Sequence, residues 1–240
     1  MPPEAAHVVE ATGLTRVYGP TGGGLRALDS VSLAVVRGEV IAVMGPSGSG
    51  KSTLLYLLGG LDEPDEGTVR LAGVDWQSLR GSARAGFRRR TCGFIVQGLA
   101  LLPQATAAEN VEVPLLLADV GRQDRGRRVA EALERVGLAG QALQLTDELS
   151  GGEQQRVSIA RALICEPAVV LADEPTGSLD SATAQVVTRL LVEAARERDA
   201  AVVVVTHDPA VARHADRIVT LHSGRLAADD GGEVGSGAPA

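Results

Sequence analysis

The stretch Gly45, Pro46, Ser47, Gly48, Ser49, Gly50, Lys51, Ser52, Thr53 gathers three glycines, four hydroxyls and one ammonium into nine positions. Gly45, four residues and then Gly50-Lys51-Ser52 is the frame of a phosphate-binding loop, with apolar runs before it (Val40 to Met44) and after it (Leu54 to Leu58). A strand that enters and a helix that leaves let successive backbone N–H groups curl around phosphate oxygens. The helix N-terminus adds unpaired donors and partial positive charge. Lys51 is the one lysine of the chain, which a glycine turn serving only as a helix cap does not explain. The loop reads as a nucleoside triphosphate site.

Two carboxylates, Asp173 and Glu174, follow the apolar run Val169 to Ala172. The C-terminal end of a buried parallel strand is where α/β proteins bind ligands. There Asp173 would hold Mg²⁺ through water and Glu174 would act as general base toward an attacking water; the plain alternative is a solvated acidic turn. His207 follows a further strand, Ala201 to Val205, and either contacts the γ-phosphate and attacking water or serves as a cap or core residue. Gln97 closes the apolar run Cys92 to Val96, where its amide could reach a metal-bound water. Tyr18 is either a base-stacking ring or an ordinary strand tyrosine. Ser150, Gly151, Gly152 and Glu153 open a helix; a capping box accounts for Ser150 and Glu153. Two successive glycines cost helix stability and suggest close backbone approach to an anion, so a second γ-phosphate contact is expected there.

The elements that must position these groups follow from pattern. Val8 to Arg16 and Ala27 to Val36 predict two strands joined through Pro20 to Gly24, and Gly67 to Val74 predicts another. The arginines at 80, 84, 88, 89 and 90 read as a solvated helix face, with contact to an acidic partner as the alternative. Helix formers dominate Ala107 to Ala118, Gln123 to Val136 and Glu153 to Ile164, predicting a helical insert, at about 98–165, within an α/β domain spanning 1–226. The Gly-, Ala- and Asp-rich stretch 227–240 is expected to be a disordered tail.

At 240 residues and 45% hydrophobic content the chain can bury a full core, built from Val, Leu, Ile and Ala because five aromatics are too few. A net charge of −7 argues against a nucleic-acid-binding surface. Cys92 and Cys165 stand outside any metal-ligand spacing and read as reduced thiols. No run approaches the length of a membrane span, so the isolated chain is expected to be soluble.

Taken in order, the loop at Gly45 to Thr53, Gln97, Leu149 to Arg156, Leu171 to Asp180 and Thr206-His207-Asp208 resemble the motifs of an ABC transporter ATP-binding subunit. The resemblance implies a P-loop NTPase (RecA-like) α/β core with an N-terminal antiparallel β subdomain and an inserted helical subdomain. It implies that Tyr18 stacks on adenine, that Lys51 and Ser52 bind phosphates and Mg²⁺, and that Gln97 senses the metal and attacking water. Asp173 and Glu174 keep the metal and base roles, and His207 is the switch histidine. Ser150 to Glu153 would complete the site of a second subunit, with Asp180 at the dimer interface. Each ATP would then lie between two chains at the cytoplasmic face of the plasma (inner) membrane, driving a separate integral permease.

Leu58 to Asp62, Leu101-Leu102-Pro103, Glu109 to Leu117 and Leu171 to Gly177 resemble the branch of macrolide-exporter and lipoprotein-releasing ATPases. The branch implies export or extrusion of a lipophilic compound, peptide or lipoprotein. An alternative is a regulator like the branch's cell-division member, which gates a cell-wall hydrolase without transport. The chain departs from the branch at Val96 and Leu99, where phenylalanines are usual.

Overall fold

Branched aliphatic side chains favour extended backbone, and short runs of them build two sheets. The computed structural model describes residues 7–19 and 23–229, so part of the turn predicted at Pro20 to Gly24 lies outside the described residues. The smaller sheet is antiparallel: β1 (His7–Tyr18), β2 (Leu25–Val36), β4 (Glu66–Leu71) and β5 (Val74–Asp75), in the order β2-β1-β4-β5. The strand expected over Gly67 to Val74 is a hairpin instead. Ala72 and Gly73 take φ of +46° and +78°, reversing the chain in two residues.

The larger sheet comprises β3 (Val40–Met44), β6 (Cys92–Ile95), β7 (Val169–Asp173), β8 (Ala201–Val205), β9 (Arg217–His222) and β10 (Arg225–Asp229), in the order β10-β9-β3-β8-β7-β6. Strands β9, β3, β8, β7 and β6 are parallel, and β10 turns back on β9. Strand β10 runs three residues into the stretch expected to be a disordered tail; residues 230–240 lie outside the described residues.

Successive residues of β3, β7 and β8 serve opposite faces. Ile41, Val43, Leu171 and Val203 enter a core shared with the smaller sheet and α1 (Lys51–Leu58), which buries Leu54, Leu55, Leu57 and Leu58. Val40, Ala42, Val170, Ala172, Val202 and Val204 enter a second core beneath the helices. Burial on both faces is why these strands read as unbroken aliphatic runs.

Between β6 and β7 stand α3 (Ala107–Leu117), α4 (Arg122–Arg135) and α5 (Gly151–Leu163). Helix α6 (Ser181–Arg196) and the short α7 (Pro209–Ala212) flank β8. Of the arginine run, residues 84, 88, 89 and 90 lie on α2 (Gly81–Thr91) with Arg80 at its N-cap, and the run is not simply solvated. Arg84 stacks over the buried Trp76, 5.0 Å from its centroid, and Arg88 donates to the Gly60 carbonyl at 3.0 Å. Among the described residues no helix is long and apolar enough to cross a membrane.

Candidate functional site

The C-terminal ends of β3, β6, β7 and β8 face one cleft of about 770 Å³. The loop after β3 supplies Gly45, Pro46, Ser47 and Gly48, and the start of α1 supplies Lys51 and Ser52; Gln97, Asp173, Glu174 and His207 come from the other strand ends. Two glycines fix the loop's shape. At Gly45 (φ +147°) a Cβ would sit 2.0 Å from the Leu221 carbonyl, and at Gly50 (φ +103°) 2.2 Å from that of Ala27, so the loop packs directly on neighbouring backbone. No side chain caps α1, which leaves its first N–H groups to an anion. The Lys51 ammonium donates to the Gly45 and Pro46 carbonyls, 2.9 Å each.

Asp173 is 2% exposed. Burial pushes its carboxyl above the usual range, neighbouring Glu174 adds to the rise, and a hydrogen bond from Ser52 and the charge of Lys51 oppose it. Glu174 holds a left-handed backbone at φ +46°, a strained conformation for a glutamate. Its N–H donates to the Val205 carbonyl at 2.9 Å and its carbonyl accepts from Gly177 at 3.1 Å, bonds that fix the turn. The side chain meets His207, Nδ1 to Oε1, at 2.8 Å. A neutral His207 donating from Nδ1 keeps Nε2 as an acceptor on a ring that is 72% exposed.

Hard oxygen donors suit magnesium, which takes one or two carboxylates and fills its shell with water and phosphate. The Asp173 carboxylate beside the Ser52 hydroxyl, with the Gln97 amide also lining the cleft, supplies that set. Among the described residues no three His, Cys, Asp or Glu converge as a protein cage, and magnesium at a phosphate needs none.

The remaining predicted residues lie elsewhere. Ser49, Gly50 and Thr53 shape the loop without lining the cleft; Ser49 is buried and its hydroxyl has no partner. Tyr18 lies outside the cleft wall, its hydroxyl donating to Asp62 at 2.8 Å and its ring 4.9 Å from the Arg16 guanidinium. Ser150, Gly151, Gly152, Glu153 and Asp180 line a second cavity of about 600 Å³. There the capping box is complete: Ser150 Oγ accepts from the Glu153 N–H at 3.4 Å, and the Ser150 N–H donates to the Glu153 carboxylate at 2.9 Å. Hydrogen bonds from Ser150 hold Glu153 below the usual carboxylate range. Asp180 caps α6 by accepting from Ala182 (3.0 Å) and Thr183 (3.1 Å). Gly152 has a packing role within the chain, since a Cβ would lie 2.7 Å from Thr183 Cγ2.

Gln155, Gly177 and Ser178 also line the nucleotide cleft and were missed by sequence reasoning. Gln155 is 3% exposed with Nε2 unpartnered, a buried polar group that its place near the motif Ser150 to Glu153 did not single out. Ser178 borders both cavities, so the loop from β7 to α6 is the wall between them.

Comparison with known proteins agrees with this geometry. Lipoprotein-releasing system ATP-binding protein LolD of Legionella pneumophila (strain Lens) is 48% identical over 202 residues, covering 84% of this chain and 89% of the relative. Macrolide export ATP-binding/permease protein MacB of Rhodospirillum rubrum is 47% identical over 97% of this chain, which spans 36% of that longer protein. Among solved structures, the dimeric post-hydrolysis state of the ATP-binding cassette MJ0796 bound to ADP and Pi superposes with a TM-score of 0.84 at 39% identity, covering 92% of this chain and 97% of that one. The family described as ABC transporter matches residues 28–177. With its phosphate loop, carboxylates and histidine on one edge of a parallel sheet, the chain belongs to the ABC transporter family as an ATP-binding, ATP-hydrolysing domain.

Proposed function

We propose that two copies of this chain close around two ATP molecules and drive a separate membrane permease, in export or extrusion of a lipophilic compound, peptide or lipoprotein. The observation that carries this reading is the division of the predicted site between two cavities. The phosphate loop, Asp173, Glu174 and His207 share one; Ser150 to Glu153 and Asp180 share the other, behind Ser178. Groups that serve one ATP from separate cavities require a second copy to bring them together. The solved neighbour MJ0796 is itself described as dimeric.

In this arrangement the uncapped start of α1 and the Lys51 ammonium hold the terminal phosphates, the lysine exchanging its loop carbonyls for phosphate oxygens. Ser52, Asp173 and Gln97 would hold Mg²⁺, which when bound offsets phosphate charge. Glu174 takes a proton from the attacking water, and His207, bonded to it, orients the carboxylate and faces the γ-phosphate. Tyr18, exposed outside the cleft wall, offers a ring face on which adenine would stack. Ser150 and Gly152 of the second copy contact ATP only in the closed pair, so ATP favours closure and hydrolysis releases it.

The permease docks at an apolar groove of about 390 Å³ walled by Leu61, Phe94, Val96, Ala100, Val113, Pro114 and Leu117, next to the loop after Gln97. On this reading the chain sits peripherally on the cytoplasmic membrane face. The LolD and MacB relatives support a lipoprotein or lipophilic cargo.

The test uses the Glu174→Gln chain, trapped with ATP, as bait on native membranes. We expect a permease with few spans and a large external domain, recovered with a dimer that Ser150→Arg abolishes. A cell-wall hydrolase in the same complex would favour the gating alternative. No membrane protein on a proven dimer removes the transport reading, and an ATP-dependent dimer that survives Ser150→Arg removes the sandwich.

A further inference from the structure

Arg161 lies on α5, the helix capped by Ser150. Its guanidinium donates to two successive carbonyls of the loop after β6: Nη2 to Leu99 and Nη1 to Ala100, 2.7 Å each. Among the described residues it forms no ion pair with a carboxylate, and burial pushes its pKa down; the two carbonyls are its hydrogen-bond acceptors.

The loop it grips is bent against preference. Leu99 and Ala100 are consecutive non-glycine residues at φ +66° and +46°. The Ala100 N–H donates back to the Gly98 carbonyl at 2.7 Å, closing a three-residue turn around Leu99 of the rarer hand. Such backbone persists only where its surroundings over-determine it.

The bend is also a partition. Gln97, Gly98 and Leu99 line the nucleotide cleft, Ala100 and Arg161 line the apolar groove, and Val96 lines both. The loop segment Val96 to Ala100 therefore stands between the nucleotide cleft and the groove.

We infer that Arg161 is a positioning residue for hydrolysis: its two-pronged grip on the Leu99 and Ala100 carbonyls holds the strained bend and thereby sets Gln97 in the cleft. The inference rests on the role given above to Gln97. It also makes α5 the member that joins Ser150, the wall of the cleft at Gln155 and the rim of the groove. A shift of α5 moves all three together.

Arg161→Lys keeps the charge and stem but cannot reach both carbonyls in one fork. We expect an unchanged melting midpoint and a KM within about twofold of wild type, because phosphate binding sits on β3 and α1. kcat should fall about tenfold, the cost of a misplaced group. Adding Ala100→Gly and Leu99→Gly should restore most of the lost kcat, since glycine takes positive φ without a clamp. An unchanged kcat, a KM that rises as much as kcat falls, global unfolding, or no recovery with the glycines would each overturn the inference. Gln97→Ala is measured alongside. If it is slow while Arg161→Lys is normal, the clamp alone fails. If it keeps wild-type kcat, the role of Gln97 falls, and the clamp with it.

Discussion

The two cavities of the chain spend their polar groups in opposite ways. In the nucleotide cleft, Asp173 is buried with its carboxyl pushed up, Glu174 sits on left-handed backbone and Lys51 rests on carbonyls. In the cavity at Ser150, the carboxylates of Glu153 and Asp180 are engaged by helix caps, and hydrogen bonds hold both below their ordinary range. The first region is unfavourable to the fold and reactive; the second is locally consistent and shaped for recognition. Of the two cavities, the one with the buried, raised carboxyl and the left-handed glutamate is the one suited to chemistry.

The sharpest way to break this contrast is Glu174→Gln. Losing the base while keeping the shape should cut turnover by about 10²–10⁴-fold with ATP affinity retained, read by single-turnover hydrolysis beside equilibrium binding. Near-normal turnover would remove the chemistry from the first cavity.

Next in size is Gly152→Ala, whose new methyl meets Thr183 Cγ2. Overpacking should cost about 1–3 kcal/mol in denaturant melts. Thr183→Ser removes that methyl while keeping the hydroxyl bonded to Asp180 at 2.6 Å, so the double variant should regain stability. If the proposed two-copy arrangement holds, turnover should remain low, because the alanine would still block backbone approach to the nucleotide of the second copy. Full recovery of both would make Gly152 a packing residue only.

The smallest effect concerns Asp173. Its raised folded-state pKa means that the native chain binds this proton more tightly than the unfolded chain, so ionisation lowers stability as pH rises through that interval. Asp173→Asn should therefore melt about 2–4 °C above wild type at pH 7 to 8. The gap should close as pH falls toward about 4, near the ordinary carboxylate value. A variant that melts lower at neutral pH would show the charge to be compensated.

Much of the cleft was legible because its motifs sit at strand ends: Val40 to Met44, Val169 to Ala172 and Ala201 to Val205 announce buried strands, and chemistry-bearing residues follow each. Helix α6 was legible and passed over: Asp180 is a clear N-cap before Ala184, Val187, Leu191 and Ala195 at helical spacing. The β9–β10 hairpin was similarly marked by Ser223-Gly224. Arg161, Gln155 and Trp76 were not legible: Arg161 grips carbonyls distant in sequence, and the burial of Gln155 and Trp76 is set by tertiary packing that local spacing does not show. An arginine that grips carbonyls some sixty residues away looks like any helix arginine. Gly152 is ambiguous at the level of sequence, since a glycine that admits Thr183 and one that admits a phosphate leave the same trace.

Lys51, folded back on the Gly45 and Pro46 carbonyls, has a chemical consequence as the chain's one lysine. Amine-directed reagents find a single side-chain target, and it lies at the phosphate loop. Acylation of this side chain should give a mass-readable report of occupancy, and should silence the molecule rather than decorate it.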